Sequence, residues 1–419
     1  MFRSFCHFLL SSILLILLLH CPFSGYAQFM GYKILGDKEK VKIPFELCNN
    51  LIVIPVKLNG IIPLKMVVDS GVRSSILTDK FITDILKLPY TRKITINGPG
   101  DYVLLEAYVI NKVDIVLEGV VGTDQSILVL EKDYLQLRNH LGVEVHGLIG
   151  YDLFSRFIVE INYERKLMTL HEPESYKPKK RYTELPLLVE DTKPYVQANI
   201  IVDDSSKFTG KFMIDTGASH SLLINENSIQ NIQVPELHLK TDIGRGLGGP
   251  ISGDIAYIDQ VNIDKYSFRD LIASFPDPES YPDTVGLVYR NGTIGGELLT
   301  RFRIILDYFD GKMYLKKGPR YRKPFGYNMS GLTVIAEGEE LKKFMISDVR
   351  ENSPGDKAGL KVDDYIEYIN GVSIDKMGLN EVYEIFNFKV GKRINLVITR
   401  NGEIKRVHFK LRDMLAEKN

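Results

Sequence analysis

Short apolar runs rich in β-branched and aromatic side chains recur along the first part of the chain: Leu51–Leu58, Leu64–Val68, Tyr102–Ile110, Val113–Val121, Phe157–Tyr163 and Leu167–His171. Turn-forming clusters such as Asn59-Gly60 and Asn97-Gly98-Pro99-Gly100 separate them, so each run predicts a strand. Helical spacing emerges only near the far end, over Leu379–Phe388. The pattern predicts a mainly β protein with a small α+β domain at its C-terminal end.

Two apolar runs end on an acid. Phe212-Met-Ile leads into Asp215-Thr216-Gly217-Ala218-Ser219, and Met66-Val-Val leads into Asp69-Ser70-Gly71. A lone carboxylate at the end of a buried strand costs several kcal/mol in lost hydration, on the order of 2–7 for a polar group and more for a charge, so each needs partners. The hydroxyl and the glycine beside each acid offer a hydrogen-bonding group and room for close approach. Each elbow is succeeded by a second matching segment, Gly147-Leu-Ile-Gly-Tyr-Asp-Leu-Phe-Ser-Arg-Phe157 and Gly292-Thr-Ile-Gly-Gly-Glu-Leu-Leu-Thr-Arg-Phe302. These two lie 145 residues apart, as do Arg156 and Arg301, Tyr163 and Tyr308, and Met168 and Met313, whereas Asp69 and Asp215 are 146 apart. A spacing held this steadily marks a duplicated domain.

With both elbows and both matching segments in place, residues 41–318 resemble a two-lobed aspartic peptidase whose lobes are each built like the retroviral-type protease subunit. The resemblance implies duplicated retropepsin/pepsin-like β-barrel lobes. It makes Asp69 and Asp215 the catalytic pair, with Ser70 and Thr216 locking the loops across a pseudo-twofold axis and Gly71 and Gly217 permitting close approach. Leu148-Ile149-Gly150 and Thr293-Ile294-Gly295 become the bracing segments, Thr293 departing from the apolar pattern. A hairpin over the cleft is also implied. Gly98 and Gly244 each lie 29 residues after their Asp, which makes Asn97–Tyr102 (with Gly98, Gly100 and Tyr102) and Gly244–Gly249 (with Gly244 and Gly246) the flap candidates, against a reading as ordinary glycine turns.

Beyond residue 324, Ser330-Gly331-Leu332-Thr333-Val334, Asn352-Ser353-Pro354, Ala358-Gly359-Leu360 and Ile369-Asn370-Gly371 resemble a PDZ domain of the bacterial type, with Leu379–Phe388 as the helix beside its groove. The resemblance implies strand addition of a peptide, whose terminal carboxylate is captured by the loop of Ser330, Gly331, Leu332 and Thr333. Ser330 replaces a residue that is usually apolar, and Asp363 replaces a usual Gly.

The chemistry implied is direct hydrolysis. Two facing carboxyls share one proton; the ionised member takes a proton from water while the other donates to the scissile carbonyl, so neither metal nor cofactor is required. Arg73, four residues after Asp69, either turns inward and disturbs that shared proton, or points outward to meet an acidic substrate group or a surface partner. Gly244-Arg-Gly-Leu-Gly-Gly249 satisfies a dinucleotide fingerprint by letter, but Pro250 comes directly after it and no helix opens there. His140 and His146 lack further metal ligands, and His220 is expected at the surface.

Charge and cysteine content narrow the picture. Lys plus Arg and Asp plus Glu are equal at 53 each, so nothing points to nucleic acid. Met1–Ala27 carries Arg3, an apolar run Phe8–Leu19 and small residues at Gly25 and Ala27, and reads as a cleavable export signal rather than a retained membrane span. Cys6 and Cys21 lie within it, leaving Cys48 alone in the mature chain without an internal disulfide. The expected organisation is a signal (1–27), lobe 1 (28–174), a polar linker (175–186), lobe 2 (187–318), a basic linker (319–324) and a PDZ domain (325–413). The expected product is an exported endopeptidase, periplasmic, cell-envelope or secreted if bacterial, with a peptide or protein substrate and a C-terminal peptide at the PDZ groove. The alternative is an inactive peptidase-like scaffold that binds peptides or protein partners.

Overall fold

The computed structural model describes residues 31–100, 104–229, 232–281 and 289–416; the export signal expected over 1–27 lies outside them. Two sheets repeat one plan. In lobe 1 the strand Ile62–Val68 lies parallel to Gly147–Ile149, with Met66 opposite Gly147 and Val68 opposite Ile149. In lobe 2 Lys207–Ile214 lies parallel to Gly292–Ile294, with Phe212 opposite Gly292 and Ile214 opposite Ile294. Where they meet their partners, at Met66–Val68 and Phe212–Ile214, these strands are buried on both faces and carry continuous apolar runs instead of alternation.

A third, six-stranded sheet joins the lobes. At its centre Ile158–Asn162 runs antiparallel to its duplicate Phe302–Asp307, pairing Val159 with Leu306 and Ile161 with Ile304. The flanking strands Leu167–His171 and Lys312–Lys317 repeat the symmetry. Thr183–Pro186, expected within an exposed connection, forms one edge of this sheet because Leu185 is buried there. One apolar cluster runs through both lobes and includes Val68, Ile149, Ile214 and Ile294 beneath the two Asp elbows.

The expected strands Tyr102–Ile110 and Val113–Val121 are in fact one strand, Leu104–Leu117, succeeded by Val120–Leu130. Lys112 adopts a left-handed φ of 60° and absorbs the irregularity as a bulge, so the chain passes through and turns at Gly119 instead.

The C-terminal domain is a sheet ordered Leu332–Glu337, Lys343–Val349, Tyr365–Ile369, Arg393–Arg400, Glu403–Lys410, with the helix Leu379–Phe386 against it. Asp363 takes φ 69°, a conformation Gly adopts freely and Asp tolerates, which explains its presence at a usual Gly position. The domain's core includes Ile255 and Ile272 of lobe 2. The linker before it is pinned: nearly buried Arg301 bonds to the carbonyls of Arg320, Lys323 and Pro324, and its guanidinium lies 3.4 Å from the Phe325 ring centroid. Among the described residues no helix is long and apolar enough to cross a membrane.

Candidate active site

Each bracing segment fixes its Asp by the backbone. The Asp69 N–H donates to the Ile149 carbonyl at 2.9 Å, and the Asp215 N–H to the Ile294 carbonyl at 3.0 Å. The chain then turns so that the Gly71 N–H donates to Asp69 Oδ1 at 2.7 Å and the Gly217 N–H to Asp215 Oδ1 at 2.8 Å. The two hydroxyls cross over. Ser70 Oγ donates to the Ile214 carbonyl (2.7 Å) and accepts from the Thr216 N–H (3.0 Å); Thr216 Oγ1 donates to the Val68 carbonyl (2.7 Å) and accepts from the Ser70 N–H (3.1 Å). Both residues are buried, so four hydrogen bonds shielded from water tie the elbows together.

The lock brings the Asp69 and Asp215 carboxyls side by side: a Cβ on Gly71 would lie 3.0 Å from Asp215 Oδ2 and 3.1 Å from Asp69 Oδ1. A Cβ on Gly217 would lie 2.2 Å from Asp69 Cγ, so only Gly fits there. Burial, and then the charge of Asp215, push the Asp69 carboxyl well above the usual range. Burial raises Asp215 too, but the Gly217 amide, the Arg290 guanidinium and Lys193 oppose it. Both carboxyls are thus raised, Asp69 further than Asp215, and the two titrate as one coupled pair.

Comparison with known families agrees with this geometry. An aspartyl protease family model matches residues 54–153 and again residues 197–297, and a PDZ domain model matches residues 345–400. The chain carries a duplicated aspartyl protease domain and a C-terminal PDZ domain. No curated protein matches it. Among solved structures, basic 7S globulin from soybean is similar over 68% of this chain and 97% of its own, at 8% identity and a TM-score of 0.39.

The protease elbows open into a cavity of about 520 Å³ that is roofed by two hairpin tips. One hairpin is Tyr90–Asn97 with Leu104–Leu117; the other is His238–Gly246 with Gly249–Ile263. Gly98, Gly244 and Gly246 line the cavity, while Tyr102 lies outside the described residues. The tips touch: the Gly248 N–H donates to the Pro99 carbonyl at 2.8 Å. Gly100, at φ 122°, packs so closely that a Cβ would lie 2.4 Å from the Gly248 carbonyl carbon. Arg245 then reaches across from lobe 2 to donate to the Leu135 and Tyr134 carbonyls of lobe 1, at 3.1 and 3.0 Å.

Arg73 points outward and pairs with Asp191 at the rim. The cations that act on the dyad are Lys193 and Arg290, which no motif in the sequence marks. Arg290 Nη2 bonds to the Tyr281 hydroxyl, holding it in the cavity wall. His220, expected at the surface, is instead packed beside the second elbow, and burial lowers its imidazole to about 4, so it stays neutral.

The PDZ groove departs from its expected open state. The Leu332 N–H already donates to Ser330 Oγ (3.1 Å) and the Ser330 N–H to Asn328 Oδ1 (3.1 Å), so the loop around Gly331 is not an open carboxylate cradle. Further along the same edge strand, past Thr333, the Tyr383 hydroxyl accepts from the Val334 N–H (3.1 Å) and donates to its carbonyl (2.9 Å). Lobe 1 covers the end of that strand and the turn after it: Asn139 Nδ2 donates to the Ala336 carbonyl (2.8 Å), and Arg138 to the carbonyls of Gly338 and Glu339 (3.1 and 2.7 Å). Ser330 is the residue whose hydroxyl makes this self-satisfaction possible. Tyr383 also lines the protease cavity, so the PDZ helix forms part of its wall.

Proposed function

We propose that the chain is an exported aspartic endopeptidase that hydrolyses peptide bonds with Asp69 and Asp215, and that its PDZ domain shapes and gates the cavity. The observation that carries this reading is the pair of adjacent carboxyls, held by crossed hydroxyls, beneath two touching hairpins. Ionised Asp215 is placed to take a proton from an attacking water while protonated Asp69 donates to the scissile carbonyl oxygen, giving a tetrahedral intermediate. Collapse of that intermediate returns a proton to the leaving amine. Neither step needs a covalent enzyme intermediate. The hairpin roof supports the reading because exclusion of bulk water strengthens these proton transfers.

The test is hydrolysis of peptides by the mature chain from acidic to neutral pH, beside Asp69→Asn and Asp215→Asn. Both variants should fold and neither should cleave. Hydrolysis that survives either substitution removes the dyad mechanism. Export rests on the pattern of residues 1–27, and N-terminal sequencing of the protein recovered outside the cytoplasm should begin close to Gln28.

A further inference from the structure

The two protease lobes share a backbone plan, so a position that is apolar in one and cationic in the other is not required by the fold. Sheet register aligns the repeats without ambiguity. Tyr195 pairs with Met213, two residues before Asp215, as Val53 pairs with Val67, two before Asp69. Lys193 therefore stands where lobe 1 has Leu51. Likewise Phe212 pairs with Gly292 as Met66 pairs with Gly147, so Arg290 stands where lobe 1 has Val145. Leu51 and Val145 are both buried apolar residues.

Among the described residues neither cation has a structural carboxylate of its own. Among the described residues Lys193 makes no ion pair; its nearest acids are Asp191, which is taken by Arg73, and Asp215 of the dyad. Arg290 is held by the Tyr281 hydroxyl and the Met213 sulfur, neither of them a counterion. Glu190, next in sequence to Asp191, is paired with Lys211 at 2.7 Å. Burial and the neighbouring Arg290 disfavour the charge on Lys193, so an incoming anion would relieve a strain already present. Lobe 1 offers the opposite surface to the same cavity, with Leu51, Val67, Ile76, Leu128 and Leu148.

We propose that Lys193 and Arg290 form an acid-recognising subsite, so that the preferred substrate is a peptide with a Glu or Asp side chain on the lobe 2 side of the scissile bond and apolar side chains against lobe 1. This rests on the peptidase reading but reaches further, because it assigns polarity and direction to a nearly symmetric cleft. Lys193 and Arg290 also favour the ionised form of Asp215, a role that would move a pH profile without discriminating between substrates.

The test separates these roles. A cleavable peptide is scanned with Glu against Gln at each position within about four residues of the scissile bond, at pH 6. One position should show kcat/KM about tenfold higher for Glu, as expected for one half-buried charge contact. That preference should fall below about twofold in Lys193→Gln/Arg290→Gln, and at pH 3 in the wild-type chain, where the substrate acid is protonated. The same Glu and Gln peptides are also titrated against the Asp69→Asn chain by fluorescence anisotropy. A Glu preference in binding supports the subsite even if the wild-type chain cleaves nothing. Equal binding of the two peptides, or a Glu preference that survives the double substitution, overturns it.

Discussion

Replacing Thr216 by Val keeps the shape of a buried side chain and deletes one hydroxyl, so it isolates the crossed lock between the elbows. In the native chain that hydroxyl accepts from the Ser70 N–H at 3.1 Å and donates to the Val68 carbonyl at 2.7 Å. Thr216 is 1% exposed, so water cannot replace either bond. Each buried group left unpaired costs about 1–3 kcal/mol, which gives a loss of about 2–6 kcal/mol for Thr216→Val. Thr216→Ser keeps both bonds and loses one methyl, about 1 kcal/mol. Urea denaturation of the three chains under identical conditions gives the comparison, read from midpoints at constant slope. Hydrolysis should track the same order, because the hydroxyl positions the elbow that presents Asp215. A Val variant that loses less than about 1 kcal/mol, or a Ser variant as damaged as Val, would falsify the view that these bonds hold the lobes in register.

Asp69→Asn should abolish cleavage yet raise the melting temperature at neutral pH. The folded carboxyl has a raised pKa, so its contribution is intact below the unfolded value and is lost as pH rises through the folded one, whereas Asn escapes that loss. Melts at pH 3 and pH 8 check this, and an equal shift at both refutes it. Arg290→Gln removes a cation that lowers the Asp215 pKa, so the acid limb of the kcat/KM profile should move to higher pH; an unmoved limb argues against the assignment of the charge to Asp215. Arg138→Ala/Asn139→Ala deletes three bonds to the PDZ edge strand and its turn, a loss of about 2–3 kcal/mol at that interface. Hydrogen exchange at Ala336–Glu339 should quicken and short-peptide cleavage should fall, while unchanged exchange would show that the covering is incidental.

The duplication, the elbows and their bracing segments were legible because each is local: an apolar strand, an acid, a hydroxyl and a glycine in one short run. Which residues line the cavity was not. Lys193 and Arg290 lie on either side of Asp215 in sequence and far from it, and only strand pairing delivers them to the wall. The signal was present in the repeats as charge against Leu51 and Val145, but it needed the pairing register to be read. Covering of the PDZ edge was illegible for another reason. Leu137–Leu141 is one short helix with no periodic pattern, and Tyr383 resembles any half-apolar helix residue until its hydroxyl is seen on the Val334 backbone. The single long strand across Lys112 is illegible because a left-handed Lys has no sequence signature.

The sharing of Ile255 and Ile272 between lobe 2 and the PDZ core bears on how the roof can lift. These residues lie on the strands Gly249–Ile263 and Tyr266–Pro276, and the first of those is half of the lobe 2 hairpin. Leu239 and Ile243, on its other half, pack against the same core, and Arg350 Nη2 donates to Thr241 Oγ1 at 3.1 Å. Among the described residues the lobe 1 hairpin has no PDZ backing: in its strand Tyr90–Asn97 only Tyr90, Ile94 and Ile96 pack inward, onto lobe 1 itself, and most of the rest is exposed. The roof is thus backed by the PDZ core on its lobe 2 side, and if a polypeptide enters beneath it, the lobe 1 hairpin is the one expected to give way. Backbone amides of residues 90–97 should then exchange faster than those of residues 238–246, and an inhibitor that spans the cavity should slow the first set far more than the second.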